Sequence, residues 1–460
     1  MAQRTGAESE GARKATDAPI RLLKVGKRTG SRKSARTLTL SLAALVFARF
    51  IPFAIAGPEP LPTAAEFKTV VLPSPVSDVT VELNGVSAIP RRLHYALKFT
   101  IRGVYDDNID ISHSDRIHDY YFAIEPGITL GYGDIYRREG NYLRLDYQPS
   151  IFLFIDHDEN DAVQHLLHLE GFHEFSRLSL NLKQDITILK GADVDLTTSG
   201  STTGQTANID VGGRTALNVF GTRLGASYDL SSKTFLSGQI EHTLYDYEDD
   251  LISSEILSGG IYINYNYSPK LVIGIGGNGG YNWVDSPTPD QTFEQANVRL
   301  SYQATGKISL NASAGVEFRQ FGDHGRGDYV SPVYELSATY QPFDGTMISG
   351  TGSRRTLNSA VLDGQDFAAT NITMSVRQRL FRRIYLGLTA GYENADYLNA
   401  IEGVSATRRD NYYFVDLAVD FTIARFWSLG CYYLHRQDFS SFENFSFYDN
   451  QIGARMSLTF

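Results

Sequence analysis

The last ten residues, Gln451-Ile-Gly-Ala-Arg-Met-Ser-Leu-Thr-Phe460, alternate strictly. Ile452, Ala454, Met456, Leu458 and Phe460 share one face of an extended chain, and Gln451, Gly453, Arg455, Ser457 and Thr459 share the other. A period of two marks a strand lying between an apolar and a polar phase. From His94 onward the alternation returns in eighteen segments: 94–105, 119–131, 140–155, 163–175, 177–189, 214–230, 234–247, 255–267, 271–284, 293–303, 308–321, 330–340, 345–356, 367–380, 384–393, 411–423, 426–436 and 447–460. At roughly 10 to 15 residues each, they have the length of a tilted strand that crosses a bilayer. In 163–175, 214–230 and 345–356 the alternation is broken.

Single segments show what the two phases are. In 271–284, Leu271, Ile273, Ile275, Tyr281 and Trp283 oppose mostly Gly and Asn. In 308–319, Ile308, Leu310, Ala312, Ala314, Val316 and Phe318 oppose Asn311, Glu317 and Arg319. In 411–423, Tyr413, Val415, Leu417, Val419, Phe421 and Ile423 oppose Asp416 and Asp420. Charges placed at every second position are very costly in a dry core, whereas a water-filled lumen accommodates them. The pattern therefore predicts an all-β fold, a transmembrane up-and-down antiparallel β-barrel of about 18 strands, rather than a soluble sandwich, and closure removes the sheet edges.

The connections support a barrel. Short ones (Ser231-Ser-Lys233, Ser268-Pro-Lys270, Ala304-Thr-Gly-Lys307, Gln341-Pro-Phe-Asp344, Phe381-Arg-Arg383 and Ala424-Arg425) alternate with long polar ones at 106–118, 190–213, 285–292, 394–410 and 437–446. Tyr228, Tyr267, Tyr302, Tyr340 and Phe421 lie close to short turns, where an interfacial girdle belongs. A propeller blade of similar period would carry three loops per unit and no lipid-facing stripe.

Composition agrees. Gly (41), Tyr (27) and Phe (26) are abundant, and mean hydropathy is −0.22. That value excludes a protein of many helical spans but suits a barrel, whose lumen residues offset its lipid face. One cysteine, Cys431, excludes an internal disulfide and a Cys-based metal cluster.

Ahead of the barrel, residues 1–37 are basic, with Arg21, Lys24, Lys27, Arg28, Arg32, Lys33 and Arg36. Leu38 to Ala56 is largely apolar and closes on Ala54-Ile55-Ala56. This series reads as a basic extension and secretory signal over 1–56, although Arg49 interrupts the apolar run. Cleavage after Ala56 removes 11 of the 42 Lys+Arg and 3 of the 52 Asp+Glu, giving a mature net charge of −18. So acidic a chain does not attract nucleic acid. Residues 57–92, rich in proline, read as a periplasmic lead-in, too short for the plug of a gated transporter, and 93–460 as the barrel.

Lumen-facing candidates carry both signs: Arg144, Asp146, Arg177, Lys183, Asp185, Glu241, Arg299, Glu317, Arg319, Glu335, Arg377, Arg379, Asp416 and Asp420. Pore-lining charges of opposite sign set a transverse field at a constriction. Singly, each is also readable as a solvated wall residue.

Two stretches carry a resemblance. Gln451, Gly453, Met456, Leu458 and Phe460 resemble the assembly signal on the final strand of bacterial outer-membrane barrels. Val104-Tyr-Asp-Asp-Asn-Ile109 is similar to the opening of the outer-membrane β-barrel porin family, a poorly characterised bacterial group whose members begin with such an Asp-Asp-Asn turn and end on an aromatic. Over about residues 93–460 the resemblance implies a porin-like barrel in a Gram-negative outer membrane. The partners expected are outer-membrane lipid, the barrel-assembly machinery and small hydrophilic solutes. Association as a homotrimer is left open, and no substrate is carried over.

Enzymatic and metal readings are thin. His165, His168 and His173 lie near Glu170 and Glu174, but alternation puts His165 and His173 opposite the other three. Asp106, Asp107, Asn108 and Asp110, like Glu248-Asp-Asp250, lack the spacing and glycine of an EF-hand and read as solvated loop carboxylates. No nucleophile elbow or phosphate loop is present. The expectation is a channel that is not an enzyme, with no catalytic, cofactor-binding or metal residues, for passive or weakly selective passage of small hydrophilic solutes. Alternatives are an adhesin or scaffold acting through loops 190–213 and 394–410, a barrel hydrolase, and a barrel assisting surface polysaccharide export, for which Tyr262, Tyr412, Phe414 and Tyr432 supply inward aromatics.

Overall fold

The computed structural model describes residues 93–135, 139–189, 210–211, 213–248, 250–322, 327–398 and 407–460. Residues 1–92, most of loop 190–213 and residues 399–406 of loop 394–410 lie outside them, and with them the signal and lead-in. Eighteen strands follow one another: β1 (Leu93–Asp106), β2 (Asp119–Asp134), β3 (Glu139–Phe154), β4 (Ala162–Glu174), β5 (Leu178–Leu189), β6 (Leu217–Asp229), β7 (Thr234–Tyr247), β8 (Ser254–Ser268), β9 (Leu271–Val284), β10 (Gln291–Thr305), β11 (Ile308–Phe321), β12 (Tyr329–Tyr340), β13 (Thr346–Asn358), β14 (Asp366–Leu380), β15 (Ile384–Tyr397), β16 (Arg409–Ala424), β17 (Trp427–Ser440) and β18 (Phe447–Thr459). Each pairs antiparallel with the next. β1 then pairs with β18, Lys98 opposite Thr459 and Asp106 opposite Gln451, which closes an 18-stranded up-and-down barrel.

Several strands run further than the alternation indicated. β15 continues to Tyr397, β16 starts at Arg409 and β17 reaches Ser440. In these extensions most outward positions are polar (Asn394, Asp396, Arg409, Gln437), with Phe439 the apolar exception, so backbone pairing continues past the point where the apolar stripe thins. Hydrophobic alternation reports only the part of a strand that lies in lipid.

The faces separate cleanly. Along β16, Tyr413, Val415, Leu417, Val419 and Phe421 are exposed, while Asp410, Tyr412, Phe414, Asp416, Ala418 and Asp420 are buried. Ile261 and Ile275 are 64% and 66% exposed, far beyond what an isolated surface residue explains once the stripe runs around the barrel. Such a belt is stable only against lipid. Tyr228, Tyr267, Tyr302, Tyr340 and Phe421 are all exposed near the short-turn end.

The inner face departs from the expected water-bathed wall. Across β14–β18 and β1–β3 it is packed. Val104, Tyr121, Ala123, Phe152, Ala418, Tyr432 and Leu434 form one apolar cluster. Ile111, from the β1–β2 loop, joins Phe367, Ala369, Ala395, Tyr397, Tyr412, Phe414 and Phe447 in another. Ile111 holds φ at 51°, a conformation that a β-branched residue adopts only when its surroundings compensate. Glycine makes room for these rings: a Cβ at Gly391 would collide with Phe414, and one at Gly453 with Tyr432.

Several buried charges of the inner face are tightly partnered. Arg102 donates to Glu125 at 2.7 Å and to the Tyr432 hydroxyl at 3.3 Å, Arg455 binds Asp420 through two nitrogens at 2.9 and 2.5 Å, and Arg436 binds Asp449. Glu317 and Arg319, expected to be solvated, are buried and paired at 2.9 Å, with Arg319 also donating to Gln291 at 2.6 Å. Asp416 is buried as well. Two-nitrogen charge-assisted geometry is what offsets the desolvation of such groups.

Two outcomes follow. Leu417→Arg, in mid-strand on the lipid face, is expected to cost about 2–4 kcal/mol, read as a lower denaturant midpoint of the folded band on unheated gels, whereas Leu417→Phe should leave it in place. Asp420→Ala strands Arg455 and should cost about 3–5 kcal/mol by the same assay, while Asp420→Ala with Arg455→Leu should recover much of the loss.

Candidate functional site on the inner wall

Outside the packed sector, β3–β7 present a different inner wall. Register places Arg144 opposite Glu170, Glu170 opposite Lys183, Lys183 opposite Arg223 and Arg223 opposite Glu241. One step along the strands, Thr129, Asp146, His168 and Asp185 form a second row. Rows follow the hydrogen-bond direction, which is oblique in a barrel because its strands tilt. Four inter-strand steps of about 4.8 Å at a tilt of about 40° carry the row roughly 12 Å along the axis. The result is a slanting track of mixed sign.

Its members hold one another. Arg144 donates to Asp146 at 2.7 and 3.0 Å, and Thr129 donates to the same carboxylate at 2.6 Å. The Tyr142 hydroxyl donates to Glu170 at 2.5 Å. His168 lies 2.6 Å from Asp185 and 3.4 Å from Glu170, and Lys183 is 3.6 Å from Asp185. Arg223 grips Glu241 at 2.8 Å. All of the track's charged side chains are partly open to solvent, and Glu335 is exposed. Here the wall is wet.

The remaining candidates spread over other surfaces. Arg299 donates to Asn264 at 2.8 Å and to Ser237, and lies 4.1 Å over the Tyr262 ring. Arg377 and Arg379 sit near the end of β14, close to the short turn. Arg177 is not on the wall: it is exposed in the β4–β5 turn, because β5 begins one residue after it. Asp106 and Asn108 are buried rather than solvated. The Asp106 carboxylate accepts from the Asn108 amide at 2.8 Å and from Gln451 at 3.0 Å, and Asp449 of β18 lies beside Asp106 and Asp107. His165 stacks on Tyr147 and His173 meets Phe175, both apart from His168.

Arg223 and the Arg102–Glu125 pair were not among the sequence candidates. Arg223 lies in the segment whose alternation is broken, which hid its face. His168 and Glu170 had been weighed only as metal or catalytic groups, although their inward parity was legible. The inward aromatics Tyr262, Tyr412, Phe414 and Tyr432 are buried, so they fill the wall rather than offer rings to a sugar chain.

At the long-loop end, described parts of several loops fold over the lumen. The Asp210 carboxylate accepts from Ser359 Oγ at 2.8 Å, the Ala360 amide at 2.5 Å and the Tyr397 hydroxyl, and the Asp210 carbonyl accepts from Arg408 at 2.9 Å. The chain leading into β6 is thus fastened to loops and strands on the far side of the barrel. Ile252 donates to the Ala360 carbonyl at 2.8 Å, and Gly364 donates to Thr288 Oγ1 at 2.8 Å. This lattice narrows the mouth.

No curated protein sequence matches the chain. Among solved structures, the Pseudomonas aeruginosa outer membrane protein OpdK is 10% identical, with 80% of this chain and 99% of that one aligned and a TM-score of 0.40. Acinetobacter baumannii OccAB4 is 10% identical over 80% and 98%, at 0.39. A loop-deleted OmpT, an outer membrane protein of Vibrio cholerae, is 11% identical over 80% and 100%, at 0.36. At such TM-scores these likenesses carry no argument of their own. Residues 290–460 match a family model described as "Putative beta-barrel porin 2". That match spans the nine strands β10–β18, and the likeness to that family is theirs; the whole chain is a closed 18-stranded β-barrel girdled by a lipid-facing belt, a barrel of the bacterial outer membrane.

Proposed function

We propose that the barrel is a channel for passive, weakly selective passage of small hydrophilic solutes, which move along the mixed-sign track of β3–β7 and meet their narrowest point where the loops are tied through Asp210. The observation that carries this reading is the contrast between two walls. One is dry, aromatic and packed. The other holds Arg144, Asp146, His168, Glu170, Lys183, Asp185, Arg223 and Glu241 partly open to solvent, and Glu335 on β12 is exposed. Because nearly every cation on the track has an anionic neighbour within 4 Å, a passing ion of either sign meets a compensated wall, which favours weak selectivity. The reading is non-enzymatic. A secretory signal in residues 1–56 and delivery by the barrel-assembly machinery of a Gram-negative cell, through Gln451, Gly453, Met456, Leu458 and Phe460, complete it. Cross-linking in membranes tests association in threes.

The tied loops favour a second reading, a barrel closed in its resting form that acts as a scaffold or adhesin through its outer loops. Conductance of the reconstituted full-length barrel separates the two: discrete channels support passage, and a silent, correctly folded barrel supports the scaffold.

Two variants sharpen the test. Asp210→Ala removes the acceptor of three hydrogen bonds and should raise single-channel conductance without shifting the folded band on unheated gels; an unchanged conductance would mean that the tie does not set the narrow point. Arg223→Gln leaves Glu241 uncompensated, so the reversal potential in a salt gradient should move toward cation preference. Glu241→Gln should move it the opposite way.

A further inference from the structure

The two ends of the barrel carry opposite charge. Among the described residues of the long loops there are fifteen Asp or Glu against three arginines, Arg116, Arg214 and Arg408. The described residues of the short turns hold seven cations, Arg177, Lys233, Lys270, Lys307, Arg382, Arg383 and Arg425, against the single acid Asp344. All seven are exposed. Lys233, Lys270 and Lys307 recur every 37 residues, once per hairpin pair, so the repeat of the fold itself sets the cations around the rim.

Three further features fix the depth at which these cations act. Exposed rings or apolar tips accompany them: Phe175, Leu230, Tyr267, Tyr302, Phe343, Phe381 (87% exposed) and Phe426. The turns are two to five residues long, too short to lift a charge far from the bilayer surface. The lysines are also held in place: Lys270 donates to the Ala304 carbonyl of the next turn at 2.9 Å, and Lys307 donates to the Pro342 carbonyl of the turn after it at 3.0 Å. An ammonium with one proton so engaged has two left to donate. At the β14–β15 turn, Phe381 and Arg382 both adopt positive φ, 49° and 64°, a conformation that costs non-glycine residues energy. That turn displays an aromatic and a guanidinium side by side at the rim.

We propose that the short-turn rim is a binding surface for anionic phospholipid headgroups of the periplasmic leaflet, with the aromatic tips seated among the acyl chains and the Lys/Arg ring paired to phosphate. Short turns face the periplasm in outer-membrane barrels, and polybasic rims at headgroup depth attract anionic lipid over a range set by salt screening. The inference rests on the outer-membrane placement of the barrel and is independent of whether the lumen conducts.

The test uses the folded full-length barrel in mild detergent, offered equimolar phosphatidylglycerol and phosphatidylethanolamine, with bound lipid read by native mass spectrometry. At low salt, phosphatidylglycerol should be retained at least about fivefold over phosphatidylethanolamine, and the preference should fade as salt rises from about 50 to about 500 mM. K233Q/K270Q/K307Q/R382Q/R383Q/R425Q should abolish the preference, whereas K233R/K270R/K307R should keep it. Should the neutralised variant fail to fold, the salt series on the native chain decides alone. Equal retention of the two lipids by the native chain, a preference indifferent to salt or to neutralisation, or capture of soluble polyglutamate in place of the lipid would overturn the proposal.

Discussion

The structure depends on the hydrogen-bonded seam between its first and last strands. In hydrocarbon a backbone N–H or C=O without a partner costs several kcal/mol, so a sheet crosses a bilayer only if it has no edge. β1 and β18 meet in register from Lys98 opposite Thr459 to Asp106 opposite Gln451, and the Phe460 amide and carbonyl both bond to Leu97. That closure frees the outward positions to be apolar, since lipid rather than a second sheet covers them. It also makes the inward positions a private interior, whose wetness the side chains decide.

Eighteen strands enclose more space than wall side chains alone fill, and this chain treats the surplus unevenly. On one side, loop residues such as Ile111 and rings such as Phe414 and Tyr432 occupy it, with inward glycines giving the rings room. Once water is displaced there, several of the remaining charges are held in close pairs, as Arg455 is with Asp420 and Arg102 with Glu125. On the other side, no aromatic cluster forms, and the charges of β3–β7 stay in contact with water although they too are paired. Packing of one wall and hydration of the other follow from which inward positions carry rings and which carry charges, with Ile111 added from a loop.

The closed barrel was legible because lipid contact imposes a period of two on residues hundreds apart, and the sequence from Ile308 to Phe318 or from Tyr413 to Phe421 carries that period without interruption. Parity alone also placed Arg144, Lys183, Glu241 and Glu335 on the polar face. What parity does not carry is the state of that face. Glu317 and Arg319 alternate as regularly as Arg144 and Asp146, yet one pair is buried and the other wet: Gln291, Phe293 and the Thr356 carbonyl on nearby strands enclose Arg319, and the strand pattern does not reveal such partners. Arg223 was missed for a local reason, since Thr222 and Asn218 are polar residues on the outer face and blur the alternation around it. Asp210 was invisible as a tie: its partners Ser359, Tyr397 and Arg408 are 149 to 198 residues away.

Charge is distributed with the same dependence on closure. A barrel whose turns are only a few residues long has little room for polar residues at that end, so the identity of each turn residue matters more than in a long loop, where composition averages out. Lysine or arginine occupies that room in most of the described turns, and carboxylates dominate the long loops. Because the seam fixes strand order and the hairpin repeat fixes turn spacing, a single residue placed once per repeat becomes a ring. The axial asymmetry that results needs no long-range design beyond the repeat itself, and it gives a chain of strongly negative net charge one surface that is positive.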